Sequence, residues 1–211
     1  MAITLIADVH GKYDKYLKLT EKHPYTVQIG DFGFNYDVLK GINAEYHRMF
    51  FGNHDNYDLM ESVIDSDHCL GDFGIRELNG VKFFFIRGAW SIDGEWRRKN
   101  IYRLGKTWWE EEELLTKQLE IAINEYTVAK PDIVLSHECP LEIVQYVTNP
   151  QFTREFGYSG IIKTRTNQAL QACLDIHRPS LLVFGHYHKN WNSVINGTEF
   201  RCLNELETLT I

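Results

Sequence analysis

The chain has 211 residues, of which 44% are hydrophobic and 24% charged, and its formal net charge is −7 with histidine counted as neutral. This composition predicts one globular domain over residues 1–211, and the acidic balance makes long-range attraction to nucleic acid weak. No uncharged apolar run approaches the ~18 residues of a membrane span, and residues 1–5 lack the features of a signal peptide, so we expect a cytoplasmic protein.

Three buried strands are predicted in the first quarter of the chain, at residues 3–7, 25–29 and 48–51. Each stops at polar residues, which are Asp8-Val9-His10-Gly11, Gly30-Asp31 and Gly52-Asn53-His54-Asp55. Residues 13–22 and 36–46 between them are predicted helices. Alternation of strands and helices predicts an α/β fold with a largely parallel sheet, and ligands bind at the carboxyl edge of such sheets.

A hairpin, a loop and a helix are predicted in the middle of the chain, between residues 75 and 129. Residues 75–78 and 81–87 are strands joined by Asn79-Gly80, the strongest hairpin signal in the chain. Residues 88–107 show no regular pattern and are predicted to form a loop, and residues 110–129 a helix. The acidic residues at 110–113 suit the start of that helix and receive no catalytic role.

Two further strands, at residues 132–135 and 181–184, again end at polar residues. They lead into Ser136-His137-Glu138 and Gly185-His186-Tyr187-His188. Residues 140–163 are predicted to be loop-like with a short helix at 141–147, and residues 166–176 a helix. The tail alternates as short strands at residues 192–195, 199–203 and 208–211, and Asn196-Gly197 predicts a second hairpin turn.

The polar residues at these strand ends have the chemistry of metal ligands, because imidazole and carboxylate suit manganese, iron and zinc. They are Asp8, His10, Asp31, Asn53, His54, His137, His186 and His188. Seven of them, without His54, can build two sites if Asp31 is shared. One site takes Asp8, His10, Asp31 and His188, and the other takes Asp31, Asn53, His137 and His186.

The charge of such a centre favours a phosphate ester. Two divalent ions bring four positive charges, and Asp8 and Asp31 bring two negative ones. A bridging hydroxide leaves about one net positive charge, because the charge of the metal itself must be counted. Two metals can lower the pKa of a bridging water and bind phosphoryl oxygens.

These motifs, in this order, resemble those of the calcineurin-like metallophosphoesterase superfamily, including its small bacterial and phage-type members. The match runs from Asp8 to His188. The resemblance implies two packed mixed β-sheets flanked by helices, and a dinuclear centre with the two ligand sets above. It implies two divalent ions, manganese first, with iron, zinc or nickel as alternatives. It also implies that His54 is not a ligand, but protonates the leaving alkoxide or steadies the phosphate.

The sequence after Asp31 departs from one branch of this superfamily. Protein Ser/Thr phosphatases carry Gly-Asp-x-Val-Asp-Arg, in which the second acid orients the histidine. Here Asp31 is followed by Phe32-Gly33-Phe34-Asn35. This argues against that branch and leaves the partner of His54 open. Asp55 is adjacent, but in the family it more often braces the loop.

The tetrapeptide Gly-Asp-Phe-Gly occurs twice, at residues 30–33 and 71–74. The first copy follows an apolar strand and precedes Asn53, which is the order of the family's motifs. Asp31 is therefore the predicted metal ligand. Asp72 is interpreted as a turn residue, and His68 nearby as a surface histidine.

The loop at residues 91–98 has two interpretations. Arg97 or Arg98 could bind a phosphate oxygen, because a guanidinium donates two parallel hydrogen bonds. Alternatively the loop is solvated, with Trp90 and Trp96 packed beneath it.

The resulting hypothesis is a metal-dependent phosphoesterase. A metal-bridging hydroxide would attack a phosphomonoester or phosphodiester, with His54 assisting the leaving group. The alternatives are a non-catalytic scaffold of the same fold that binds proteins, and a nuclease. A scaffold should have lost ligands, whereas all seven are present here. The acidic balance gives a nuclease little support.

Overall fold

The strands form two mixed β-sheets in the computed structural model, which describes residues 2–211. The strands are β1 (Thr4–Ile6), β2 (Thr26–Ile29), β3 (His47–Phe50), β4 (Phe73–Leu78), β5 (Val81–Ile86), β6 (Ile133–Ser136), β7 (Leu181–Phe184), β8 (Trp191–Ile195), β9 (Thr198–Cys202) and β10 (Thr208–Thr210). The helices are α1 (Tyr13–Lys22), α2 (Met60–Ile64), α3 (Gly94–Lys99), α4 (Ile101–Leu104), α5 (Thr116–Ala129), α6 (Leu141–Val147), α7 (Pro150–Glu155) and α8 (Arg165–Ile176). Short 3₁₀ helices span Tyr36–Gly41, Tyr57–Leu59 and Glu110–Glu112.

The smaller sheet has the strand order β10-β1-β2-β3, and the larger has the order β4-β5-β6-β7-β9-β8. Strands β1, β2 and β3 run parallel, as do β5, β6, β7 and β9. Strands β10, β4 and β8 pair antiparallel at the edges. The predicted fold of two mixed sheets is confirmed.

The two sheets pack face to face, with helices on their outer faces. Strand β5 shows the alternation clearly, because Phe83 and Phe85 enter the core between the sheets. Phe84 and Ile86 point the other way, into the core that also contains residues of α5, α6 and α8. A third core lies on the outer side of the smaller sheet and includes Tyr16 of α1. Parallel strands buried on both faces are largely apolar, as the sequence Leu-Leu-Val-Phe of β7 shows.

Both predicted Asn-Gly hairpins are present. Asn79 and Gly80 have φ angles of 49° and 75°, and Asn196 and Gly197 have 51° and 87°. Positive φ at both central residues is what a tight hairpin between twisted strands requires. These turns join β4 to β5 and β8 to β9.

Two predicted helices are wrong in extent. The helix at residues 36–46 is only a 3₁₀ helix at Tyr36–Gly41, because Gly41 weakens a helix and residues 43–45 form a turn. The helix at residues 110–129 begins at Thr116 instead. Glu112 and Glu113 are buried and accept hydrogen bonds from distant segments, so tertiary contacts override the helical pattern there.

Two predicted loops contain helices. Residues 88–107 include α3 and α4, and α3 is supported by an ion pair from Lys99 to Glu95, 2.6 Å, one turn apart. Residues 140–163 include the predicted short helix α6 and also α7. The Asn149 side chain caps α7 by accepting from the backbone N–H of Gln151 at 3.0 Å.

Across residues 2–211, no helix has the length and apolar character needed to cross a membrane.

The prediction that His68 lies on the surface is wrong. His68 is buried, and its Nε2 lies 2.9 Å from the carbonyl oxygen of Ile42.

Candidate metal centre

The predicted ligands lie where five parallel strands end, and their backbone is unusual. Five of the seven have φ angles in the left-handed region: Asp8 (45°), His10 (47°), Asp31 (59°), His186 (68°) and His188 (50°). Each such residue costs about 1 kcal/mol or more, and such strain persists at functional sites because the surrounding structure enforces it. The strained residues follow β1, β2 and β7, and their side chains converge at the centre.

Four of the predicted ligands form one compact group. Asp8, His10, Asp31 and His188 each offer a ligand atom, and these atoms all lie within 4.8 Å of one another. The Nε2 atoms of His10 and His188 are 2.9 Å apart, and His10 Nε2 is 3.5 Å from Asp31 Oδ2. Two imidazoles and two carboxylates converging in this way suit a borderline divalent cation.

A second group forms around the other oxygen of Asp31. His137 Nε2 lies 3.1 Å from Asp31 Oδ1 and 3.1 Å from Asn53 Oδ1. The ring of His186 packs edge-on against His137, with the centroids 5.3 Å apart. All four side chains are buried or nearly so, and the two oxygens of Asp31 therefore face two different sets of nitrogen and oxygen atoms.

Glycines directly before the ligands allow this close approach. A Cβ atom on Gly52 would lie 2.3 Å from Asp31 Oδ1, and one on Gly185 would lie 2.5 Å from Asp8 Oδ2. Both distances are far below van der Waals contact. Larger residues at these positions would displace the carboxylates, so the Gly-Asn and Gly-His dipeptides are steric requirements of the site.

The protonation states at the centre depend on burial and on neighbouring charges. Burial raises the pKa of Asp8 to about 8 and lowers the pKa of His10 to about 4. Burial also lowers the pKa of His186 well below its ordinary value. Burial opposes the charge on Asp31, but His137, His54 and His10 together outweigh it, so the pKa of Asp31 lies well below its usual value. His10 and His186 are therefore neutral and Asp31 is ionised, which are the forms that bind a divalent cation, whereas Asp8 would lose its proton when a cation binds.

Backbone contacts orient the imidazole of His137. Its Nδ1 lies 2.9 Å from the carbonyl oxygen of Ile29, so Nδ1 carries the proton and donates it. Nε2 faces two acceptor oxygens, one of Asp31 and one of Asn53. Burial lowers the pKa of His137, but the charge of Asp31 raises it to about 10, so Nε2 also carries a proton, and a divalent cation would take the place of that proton. On the other side of the centre, His188 Nδ1 lies 3.6 Å from a carboxylate oxygen of Glu205. Such second contacts fix the orientation of metal-binding histidines.

Asn53 is oriented by a buried chain of hydrogen bonds. Its Nδ2 donates to Ser91 Oγ at 2.9 Å, and Ser91 Oγ donates to Glu112 Oε2 at 2.7 Å. The backbone N–H of Ser91 also donates to Glu112 Oε1 at 2.8 Å. Since the Ser91 hydroxyl gives its hydrogen to Glu112, it can only accept from Asn53. The side-chain amide of Asn53 must therefore point its NH₂ group toward Ser91, which leaves its Oδ1 atom facing His137.

The sequence interpretation missed Ser91 and Glu112. Glu112 is one of the acidic residues that suit the start of the predicted helix, yet its side chain is only 2% exposed. No periodic pattern marks it, because it lies 21 residues from Ser91 and the contact forms only in the tertiary structure.

Asp55 braces the loop, as the family resemblance implied. Its carboxylate accepts hydrogen bonds from the backbone N–H groups of Asp31, Gly33 and Gly52, at 3.0, 3.0 and 2.7 Å. The Tyr36 hydroxyl donates to it as well, at 3.1 Å. Asp55 thereby ties the loop that carries Asp31 to the loop that carries Asn53.

His54 lies beside the first group, with its ring centroid 5.2 Å from that of His10. Its Nε2 accepts from Arg97 Nη2 at 2.7 Å, and Arg97 Nε donates to Asp93 Oδ2 at 2.9 Å. Arg97 is buried, whereas Arg98 is exposed. The structure therefore brings Arg97, and not Arg98, to the centre.

The interpretation that Trp96 packs beneath the loop at residues 91–98 is wrong. Trp96 is 52% exposed rather than packed beneath the loop. Trp90 is half-buried and meets Tyr158 edge-on, with the ring centroids 5.3 Å apart.

The second Gly-Asp-Phe-Gly lies away from the centre. Asp72 occupies the bend before β4, and its carboxylate accepts from Arg87 Nε at 2.6 Å and from Gln118 Nε2 at 2.8 Å. Asp72 is thus a structural residue, in agreement with its interpretation as a turn residue.

Comparison with known proteins gives a family match and fold similarities. A phosphopantetheinyl hydrolase from Mycobacterium tuberculosis is similar in fold, with a TM-score of 0.50 and 12% identity over 97% of this chain and 89% of that one. A dimetal phosphatase from Danio rerio has a TM-score of 0.55 and 15% identity over 98% of this chain and 88% of that one. At these identities the likeness shows the fold alone. No curated protein matches the chain in sequence.

The family match covers most of the chain. Residues 1–190 fit the family described as calcineurin-like phosphoesterase, and this range contains all seven predicted ligands. The two-sheet fold and the cluster of Asp8, His10, Asp31 and His188 agree with that match. The chain belongs to the calcineurin-like phosphoesterase family.

Proposed function

We propose that the protein hydrolyses phosphate monoesters or diesters with two divalent metal ions. The observation that carries this proposal is the position of Asp31. Its Oδ2 lies 3.5 Å from His10 Nε2, whereas its Oδ1 lies 3.1 Å from His137 Nε2. Oδ2 is buried and accepts no hydrogen bond from residues 2–211. A buried carboxylate oxygen without a partner is strongly destabilising unless a cation balances it.

The residues fit two ions that share Asp31. One ion would be held by Asp8, His10, Asp31 and His188, and the other by Asp31, Asn53, His137 and His186. This mixture of imidazole, carboxylate and amide oxygen suits Mn²⁺, and it also accepts iron, zinc or nickel. When bound, two divalent ions activate a water molecule for attack and bind the phosphoryl oxygens.

The contact between Arg97 and His54 takes the place of the missing orienting acid. The guanidinium of Arg97 donates one hydrogen bond to the Asp93 carboxylate and another to Nε2 of His54. A guanidinium only donates hydrogen bonds, and phosphate oxygens are stronger acceptors than an imidazole nitrogen. We therefore infer that a bound phosphate draws Arg97 away from His54. Burial and the charge of Arg97 both lower the pKa of His54, so withdrawal of Arg97 would let Nε2 take up a proton from water and pass it to the leaving oxygen.

Hydrolysis of p-nitrophenyl phosphate and bis-p-nitrophenyl phosphate with Mn²⁺ tests the proposed function. We expect turnover of at least one of them, loss of turnover after dialysis against a chelator, and recovery when Mn²⁺ is restored. No turnover of either ester by protein with two bound metal ions would support the scaffold alternative. Faster cleavage of DNA than of both esters would support the nuclease alternative.

Glu112→Gln is predicted to weaken Mn²⁺ binding at the site that includes Asn53. A glutamine can donate to Ser91, so the amide of Asn53 loses its fixed orientation. Loss of such an outer contact lowers metal affinity by about 10- to 100-fold. Isothermal titration of the metal-free protein with Mn²⁺ should show one weakened site and one unchanged site.

The control for this variant is Glu111→Gln, because Glu111 is the exposed neighbour of Glu112. It carries the same change of charge without the contact to Ser91. Ser91→Ala should weaken the same site as Glu112→Gln. Equal Mn²⁺ affinities for Glu112→Gln and Glu111→Gln would contradict the positioning role of Glu112.

A further inference from the structure

A cavity of about 470 Å³ opens beside the metal centre. One part of its wall is formed by residues of the centre, including Asn53, His54 and His186. The remaining wall is mainly apolar and comes from the loop after β5 and from helices α6 and α7. The apolar side chains that matter here are Trp90, Val144, Val147, Phe152 and Phe156.

Two neighbouring phenylalanines of this wall are exposed. Phe152 is 48% exposed and Phe156 is 39% exposed, and their ring centroids are 5.1 Å apart. Phe152 lies in α7, a helix that was not predicted from the sequence, and Phe156 directly follows it. Exposed neighbouring aromatic rings beside a polar centre mark a binding surface more often than a solvated one.

The polar side chains of the wall are largely engaged within the protein. Asn167 accepts from the backbone N–H of Thr164 and donates to the carbonyl oxygen of Ile162, both at 3.0 Å. The Thr153 hydroxyl donates to the carbonyl oxygen of Pro150 at 3.2 Å. Asn167 caps α8 and Thr153 bonds within α7, so both are poorly placed to bind hydroxyl groups of a ligand. The wall therefore favours an apolar ligand over a sugar.

We propose that this cavity binds the organic group of the ester and selects esters whose organic group is aromatic. The inference rests on the proposed function, because the cavity and the metal centre share His54 and His186. A phosphoryl group bound at the centre would place its organic substituent against this wall. The cavity volume lies in the range of ordinary ligand pockets, and such pockets are mostly apolar with a few polar groups that fix orientation. The substrate class is a phosphate ester of an aryl or arylalkyl alcohol.

Turnover of two alkyl esters tests the selection. We compare 2-phenylethyl phosphate with glycerol 1-phosphate in the presence of Mn²⁺, because both release a primary alkoxide and differ mainly in the apolar group. We expect kcat/KM to be about tenfold or more higher for the phenylethyl ester, since burying an aromatic ring is favourable by more than 1.4 kcal/mol. Phe152→Ser and Phe156→Ser should each reduce this ratio, mainly through a higher KM.

Tyr102→Ser is the matched control, because Tyr102 is a fully exposed aromatic residue that does not line the cavity. It should leave the ratio unchanged. The exposure of Phe152 means that its replacement should not unfold the protein. A higher kcat/KM for glycerol 1-phosphate, or an unchanged ratio in both phenylalanine variants, would overturn the inference while the proposed function stands.

Binding of phosphonates separates this inference from the proposed function. Phenylphosphonate and methylphosphonate cannot be hydrolysed as esters, so their affinities for the Mn²⁺-loaded protein do not depend on turnover. Phenylphosphonate should bind about tenfold more tightly, and Phe152→Ser should remove most of that difference. If neither ester is hydrolysed, the proposed function fails, and the two phosphonate affinities decide the inference. Equal affinities would overturn it.

Discussion

Asp31→Asn is expected to abolish binding of both metal ions and to lower phosphoesterase activity by about a thousandfold or more. The amide carries no negative charge, and it presents only one oxygen where the carboxylate presents two. Loss of several kcal/mol of charge stabilisation lowers the rate about tenfold for each ~1.4 kcal/mol. Metal analysis by mass spectrometry, combined with turnover of p-nitrophenyl phosphate, measures both effects.

The chain supplies a matched control for this variant in its second Gly-Asp-Phe-Gly. Asp72→Asn makes the same change in the same tetrapeptide, but Asp72 pairs with Arg87 rather than with the centre. It should retain two metal ions and activity, with a lower Tm. Asp31→Asn itself should fold, since an asparagine oxygen can still accept from the backbone N–H of His54, as Asp31 Oδ1 does at 2.7 Å. Two metal ions per chain in Asp31→Asn would show that the bridging role is wrong.

His54→Ala is expected to retain both metal ions and to lose rate according to the leaving group. If His54 protonates the leaving oxygen, its loss should lower kcat about 100-fold or more for alkyl phosphates, which release a strongly basic alkoxide. The loss should be much smaller for p-nitrophenyl phosphate, because p-nitrophenolate leaves without a proton. The measurement is kcat over a series of esters with leaving groups of increasing pKa.

A different result would assign His54 a different role. Equal losses for good and poor leaving groups would exclude proton transfer and leave His54 as a group that steadies the phosphate. His68→Ala is the control, because His68 is also a buried histidine but binds the carbonyl oxygen of Ile42. It should leave the dependence on the leaving group unchanged.

The candidate ligands could be identified from the sequence because their signals are local. Asp8, Asp31 and Asn53 each follow an apolar run within one to three residues, and parallel strands bring their carboxyl ends to one edge. The order of the motifs also identified Asp31, rather than Asp72, as the predicted metal ligand. The helix boundaries were less predictable, since the acidic residues at 110–113 suit a helix start in isolation but two of them are buried in the protein.

The sequence by itself determined the fold class and the set of candidate ligands, because hydrophobic periodicity and strand-end residues are encoded within short segments. Only the tertiary structure decided what surrounds those ligands. Ser91 reaches Asn53 across 38 residues, and Arg97 reaches His54 across 43. The apolar cavity likewise combines the loop after β5 with α6 and α7. Hydrogen bonds and packing between distant segments depend on how the two sheets and their helices assemble, and no local pattern records that assembly.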